Sequence, residues 1–414
     1  MEGSSTKKSS KIKRILEISG PGLIMAAACI GPASVTSASV LGSAYGYTLL
    51  WMVILTVVVR AMFVRGAYVS SLVLGQPTLE AIRKYYGPTL GVITGIACLL
   101  GSVAYQVGNF SGTGMGVSLL FPSLDWKIGG VVMTLASIYF ILSKNVFVKI
   151  EKVMKVCVFA MIACFGISLI ATGGPSISGM AAGMIPKFPD QKSMFTTLAF
   201  IGSTCSLPGI VYGTYLGKEK KWGLEDIRNN NITWDTAIGV GSIGLIVILV
   251  MLTSAAVLHP RGITVTSVQD MAEQLTPIIG GGARYLMGLS LLSAAVSSMI
   301  VNAQMGSVLI LSGLGKPYGM EDKIVRVCSL AILIFGCVLG VSIGKAPVQM
   351  LMIAAACTIV SMPLLGIFII LLLNKKEMRE FKPKPLFNYA LIISYILILL
   401  VTWNNISNFV TKYL

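Results

Sequence analysis

Acidic side chains are scarce in this chain of 414 residues, which carries 16 Asp and Glu against 32 Lys and Arg, with charged residues only 12% of the total. All sixteen, Asp235 and Asp270 among them, read as loop or helix-end positions. Moving even a singly charged ion from water into a low-dielectric medium costs on the order of 20 kcal/mol before compensation. Carboxylates normally supply that compensation, so a dehydrated Mn²⁺ or Fe²⁺ site is disfavoured and no metal ligand set is expected. Histidine is nearly absent: His259, the only one, precedes Pro260 in a loop, which argues against a histidine proton relay. The eight cysteines form no Cys-x-x-Cys pair, so neither a disulfide frame nor a zinc site is indicated. Without titratable groups at depth, acid–base and metal catalysis are excluded, and the chain is read as no enzyme and as needing no cofactor.

Apolar residues are abundant instead. They make up 55% of the chain, and the mean hydropathy is +0.83. No water-soluble fold hides that much apolar surface. The expected architecture is an all-α integral membrane protein. Eleven runs are long enough to span: 20–43, 47–72, 91–121, 127–144, 153–173, 193–217, 235–258, 283–315, 325–344, 348–373 and 386–405. The 44 glycines lack a collagen period and suit close helix packing.

The +16 charge is distributed between the runs rather than on one patch, so nucleic acid is not an expected partner. With the N-terminus in the cytoplasm, 24 basic residues fall in inside segments and 7 in outside segments. That bias places the N-terminus inside and the C-terminus outside, in what reads as a prokaryotic plasma membrane. The lysine-rich inner loops then face anionic lipid headgroups. The segments divide as a basic tail (1–19), a first repeat (20–173), a second repeat (174–373), an eleventh helix (386–405) and a short tail (406–414).

Two runs are interrupted at mid-span. The first reads Cys29-Ile30-Gly31-Pro32-Ala33-Ser34-Val35-Thr36-Ser37 and the sixth Thr204-Cys205-Ser206-Leu207-Pro208-Gly209. They are helices one and six, as two inverted five-helix repeats require. Paired interruptions at Pro32 and Pro208 point to a transporter's midplane site.

With these residues the chain resembles the NRAMP family of metal-ion transporters from about residue 14 to 380. Gly20-Pro21-Gly22, Tyr45-Gly46-Tyr47-Thr48-Leu49-Leu50-Trp51, and Val360-Ser361-Met362-Pro363 followed by Asn374-Lys375-Lys376-Glu377 carry the likeness. The resemblance implies a LeuT-type fold. The family's functional residues depart. Its Asp-Pro-Gly-Asn in helix one appears here with Gly31 and Ser34 at the ligand places. Its Ala-x-x-Met-Pro-His in helix six appears as Thr204-Cys205-Ser206-Leu207-Pro208-Gly209, and its helix-three acidic positions align with Asn109 and Gly112. Ser361 holds the helix-ten polar position.

What remains is hydroxyls and backbone at half-helix ends. Gly31, Ala33, Ser34, Thr36, Ser37, Thr204, Cys205, Leu207 and Gly209 are the candidate substrate-binding residues, with Arg60, Asn109 and Ser361 along the pathway. A central Arg is expensive in lipid. Arg60 either attracts an anion, snorkels toward the inner surface or rests on a carbonyl. Gln106, Asn109, Ser111 and Thr113 make helix three more polar than packing needs, and either line the pathway or bond between helices. Half-helix N-termini carry partial positive charge, so the expected substrate is a small oxyanion such as bicarbonate. The alternatives are a hydrated divalent cation such as Mg²⁺, a monovalent ion, a neutral or zwitterionic solute such as an amino acid, and a transport-inactive sensor.

Overall fold

The computed structural model describes residues 20–143, 162–163, 165–319, 321–343 and 347–413. Ten of the eleven expected runs appear as helices among the described residues. The run at 153–173 lies mostly outside them, with 165–171 helical, and the basic tail 1–19 lies wholly outside them. The last helix runs to Tyr413, through the segment expected to be a tail.

The helices used below are α1 (Gly20–Cys29), α2 (Pro32–Tyr45), α3 (Leu50–Leu74), α4 (Pro88–Leu120), α5 (Gln191–Thr204), α6 (Leu207–Glu219), α7 (Asn231–Val257), α8 (Ala283–Leu314), α9 (Pro347–Cys357) and α10 (Met362–Leu373). Both expected breaks are real. Proline lacks an N–H and its ring collides with the carbonyl four residues back, so a helix must stop before it. Pro32 accordingly sits in the first turn of α2, with Gly31 extended ahead of it at φ −91°, ψ 176°. Pro208 sits in the first turn of α6, behind Cys205 and Ser206. A third interruption follows the same rule: a 3₁₀ turn at Thr358–Ser361 separates α9 from α10, whose first turn holds Pro363.

The pairs α1/α2 and α5/α6 are wrapped by α3, α4, α7 and α8. Helices α4 and α8 run against one another, and glycine sets their spacing. A Cβ at Gly313 would lie 2.6 Å from the Gly91 carbonyl oxygen, and one at Gly116 would lie 3.0 Å from that of Gly288. Leu135, Tyr139, Ile170, Val327, Phe335 and Trp403 face outward. That is the apolar surface a bilayer covers, in place of the solvated face of a soluble bundle.

A short segment closes one end of α2. Val265 N–H donates to Ser43 Oγ (3.1 Å), and Gln274 Nε2 donates to Ser39 Oγ (3.0 Å). His259, expected in a loop, is exposed and opens a 3₁₀ turn, His259–Arg261, with Nδ1 2.9 Å from the Ser43 carbonyl oxygen. The helix Val268–Glu273 within this segment is capped by Ser267, and Asp270 Oδ2 accepts the N–H groups of Thr266 and Ser267 at 2.8 Å each. Partial burial works to raise the Asp270 carboxyl, but these N–H groups and the two hydroxyls outweigh it and hold it below the usual carboxylate range. Its contribution is therefore present above about pH 4, the ordinary aspartate value, and is lost as pH falls through the depressed one. Hydrogen exchange is expected to show residues 265–274 protected at neutral pH and losing protection below that range, and Asp270→Asn should remove the pH dependence.

Candidate functional site

The two breaks face each other. Beside them is a cavity lined by Met25 and Cys29 of α1, Tyr105 of α4, Gly209 of α6, Asn302 of α8 and Thr358 of the 3₁₀ turn, with Ser206 and Pro208 completing the α6 side. Polar groups converge on it from four elements. A Cβ at Gly31 would stand 3.0 Å from both the Tyr105 hydroxyl and Ser298 Oγ. Asn302 Nδ2 donates to the Ser102 carbonyl (2.8 Å) and to Gln106 Oε1 (3.1 Å). Thr358 Oγ1 donates to the Gly202 carbonyl (3.0 Å). Asn302 Oδ1, Gln106 Nε2, Ser102 Oγ and both polar atoms of Asn109 are buried with no hydrogen-bond partner among the described residues. Such groups are costly unless a ligand or water meets them.

Arg60 decides the electrostatics. It is 1% exposed, so it does not snorkel. Its Nη1 donates to the Thr204 carbonyl (2.7 Å) and its Nη2 to Cys29 Sγ (3.2 Å). Thr204 ends α5 and Cys29 ends α1, so one guanidinium caps the C-terminal end of α5 and lies against the last side chain of α1. Those ends carry partial negative charge and are where a bound cation would rest. The protein places its own tethered cation there, and the N-termini of α2 and α6 are left as the unneutralised ends. A divalent cation about 6 Å from that guanidinium would be destabilised by roughly 5 kcal/mol at an effective dielectric near 20. Among the described residues, no group of three or more His, Cys, Asp or Glu side chains is placed to hold a metal.

The expected site residues divide. Pro208 and Gly209 border the cavity, Gly31 lies behind its Tyr105 wall, and Thr204 enters through the carbonyl that receives Arg60. Ser34 donates to the Cys29 carbonyl (2.7 Å), and Ser37 to the Ser34 carbonyl (3.2 Å) with Ser203 Oγ 3.4 Å away, so both hydroxyls tie the break together. Thr36 points elsewhere: its hydroxyl meets Met271 Sδ at 3.5 Å in the closing segment. Leu207 turns toward α10, its Cδ1 3.5 Å from where a Gly366 Cβ would stand. Ala33 and Cys205 are buried within the breaks, and Ser361 donates to the Thr358 carbonyl (3.2 Å).

Sequence reasoning missed Met25, Cys29, Tyr105 and Asn302. The Met25 methyl lies 3.1 Å from a Cβ position at Gly209, and Cys29 Sγ lies 3.4 Å from it. The signal available for Met25 and Cys29 was helical spacing, since residues four apart share a face. A second difference concerns Asp235. It is near a helix end, as read, yet fully buried, with Oδ1 accepting the Gly22 N–H (3.0 Å). Gly112 explains one departure from the family pattern. A Cβ there would lie 2.2 Å from Pro32 Cγ, so an acid at this place would displace the break. Gly112→Ala is expected to destabilise by about 1–3 kcal/mol, read as a lower unfolding temperature in detergent.

This fold recurs in known transporters. The model is similar to a crystal structure of the Eremococcus coleocola manganese transporter, with TM-score 0.77, 19% identity and coverage of 96% of this chain and 87% of that one. It is also similar to that of MhsT in complex with L-phenylalanine, with TM-score 0.60, 16% identity and coverage of 92% and 98%. Two sequence relatives are named divalent metal cation transporter MntH. The Klebsiella pneumoniae protein is 26% identical over 314 residues, 75% of each chain. The Yersinia pestis protein is 27% identical over 307 residues, 72% of this chain and 73% of that one. A family profile described as natural resistance-associated macrophage protein-like matches residues 22–408. Paired broken helices, a LeuT-type fold and a match over nearly the whole chain make this an integral membrane transporter of the Nramp family.

Proposed function

We propose that this Nramp member moves a small, singly charged oxyanion, with bicarbonate as the first candidate, by alternating access around the Ile30–Gly31 and Cys205–Ser206 breaks. The observation that carries the reading is Arg60, a buried positive charge on the Thr204 carbonyl at the end of α5 and on the Cys29 sulfur at the end of α1. The N-termini of α2 and α6 and the Tyr105 hydroxyl then supply donors suited to a planar anion. The repeats are taken as 20–173 and 174–373, the N-terminus as cytoplasmic, and the membrane as the bacterial plasma membrane.

A second reading is a divalent metal cation. The names of the sequence relatives favour it directly, and none of those names points to an anion. The adjacency of Met25 and Cys29 to the cavity offers two sulfur donors of the kind soft metals use. Against it stands the positive charge already hydrogen-bonded to Cys29. Purified protein in liposomes separates the two. Saturable uptake of labelled bicarbonate without Mn²⁺ or Mg²⁺ uptake supports the oxyanion, and saturable Mn²⁺ uptake without anion flux overturns it.

A further inference from the structure

A second cavity also borders α1. Gly22, Met25, Arg60, Tyr68, Asp235 and Thr236 line it, and Met25 belongs to the walls of both. Arg60 therefore reaches one cavity through Cys29 and opens onto the other directly. Three buried polar atoms in this second space have no hydrogen-bond partner among the described residues: Arg60 Nε, Asp235 Oδ2 and Thr236 Oγ1. Asp235 is 0% exposed and Arg60 1%. The carboxylate is anchored on one side only, Oδ1 accepting the Gly22 N–H at 3.0 Å. The Tyr68 hydroxyl lies within electrostatic reach of both charges, with Cys29 beside Arg60, and Lys220 is a further cation within reach of Asp235.

A buried guanidinium and a buried carboxylate facing one small space are each expensive alone, and each lowers the cost of the other. Asp235, on α7 and tied to α1 through the Gly22 N–H, is thus a negative charge facing the same small space as the tethered cation of the site. We infer that Asp235 is an internal anion that competes with the transported one for the positive charge of Arg60. This rests on the oxyanion reading above. With the central cavity empty, Asp235 balances Arg60. When an oxyanion occupies the central cavity, two negative charges share one guanidinium, and binding is weakened enough for release. Asp235 is a positioning residue, since it acts through Arg60 and does not line the central cavity.

The test compares wild type, Asp235→Asn and Asp235→Glu in proteoliposomes with labelled bicarbonate. Asp235→Asn is expected to lower KM on the order of tenfold, the effect of removing one competing charge from a buried site, and to lower the maximal rate as release slows. Asp235→Glu is expected to return KM to within about twofold of wild type, because the charge is restored. An unchanged or raised KM in Asp235→Asn overturns the inference. A substrate-free measurement runs beside it: unfolding temperatures of Arg60→Met, Asp235→Asn and the double variant form a cycle. A double variant less destabilised than the sum supports the pairing, and strict additivity overturns it. If wild type carries no bicarbonate while the cycle remains non-additive, the oxyanion reading fails and the charge pair stands.

Discussion

Arg60→Met is expected to reduce bicarbonate uptake by at least about 100-fold, equivalent to roughly 2.7 kcal/mol, while the protein remains folded. The substitution keeps an unbranched stem of comparable bulk and removes the charge, along with the donors to the Thr204 carbonyl and Cys29 Sγ. Removing one partner of a buried charge pair also costs stability, so uptake is compared per folded protein. Arg60→Lys should recover only a small part of the rate. An ammonium is a point charge, whereas the planar guanidinium meets the Thr204 carbonyl and the Cys29 sulfur at once. Uptake assays with size-exclusion profiles of each variant check both statements. Full bicarbonate uptake by Arg60→Met would remove the guanidinium from the mechanism.

The second large effect concerns the sign of the site. Ser34→Asp places an acid where the family's helix-one motif has its last ligand. An anion carrier should lose uptake by at least about tenfold, since a carboxylate competes with substrate for the same donors. It also cannot donate to the Cys29 carbonyl, which Ser34 Oγ meets at 2.7 Å, so the break itself is disturbed. No Mn²⁺ binding should appear by calorimetry, because Arg60 still holds the Thr204 carbonyl and the Cys29 sulfur. A variant that gained Mn²⁺ uptake would favour the cation reading that the relatives' names carry. Either result fixes the polarity of the cavity.

How much of this was legible in the chain differs from residue to residue. Pro32 and Pro208 announced the breaks because proline's missing N–H acts locally, whatever surrounds it. The paucity of acids was legible for the same reason: composition needs no coordinates. Ser34, Thr36 and Ser37 looked equivalent, yet Ser34 and Ser37 bind the break together and Thr36 points at Met271. Rotation about a half-helix sets these directions, and that rotation is fixed by neighbours distant in sequence. Tyr105 and Asn302 carried no local mark, each being one of several polar residues in a long helix. They matter because α4 and α8 approach closely along their glycines and bring both to the breaks.

The sequence by itself determined the membrane-spanning class, the positions of both helix breaks and the loss of the family's acidic, thioether and imidazole ligands. Each follows from hydropathy or from a residue's own backbone chemistry. Only the tertiary structure decided what became of Arg60 and Asp235. One read as an anion-attracting, a snorkelling or a carbonyl-bound charge, of which the carbonyl contact is observed, the other as a helix-end acid, and both are buried around α1. Electrostatic roles depend on distance and burial, and those arise when helices far apart in the chain are pressed together.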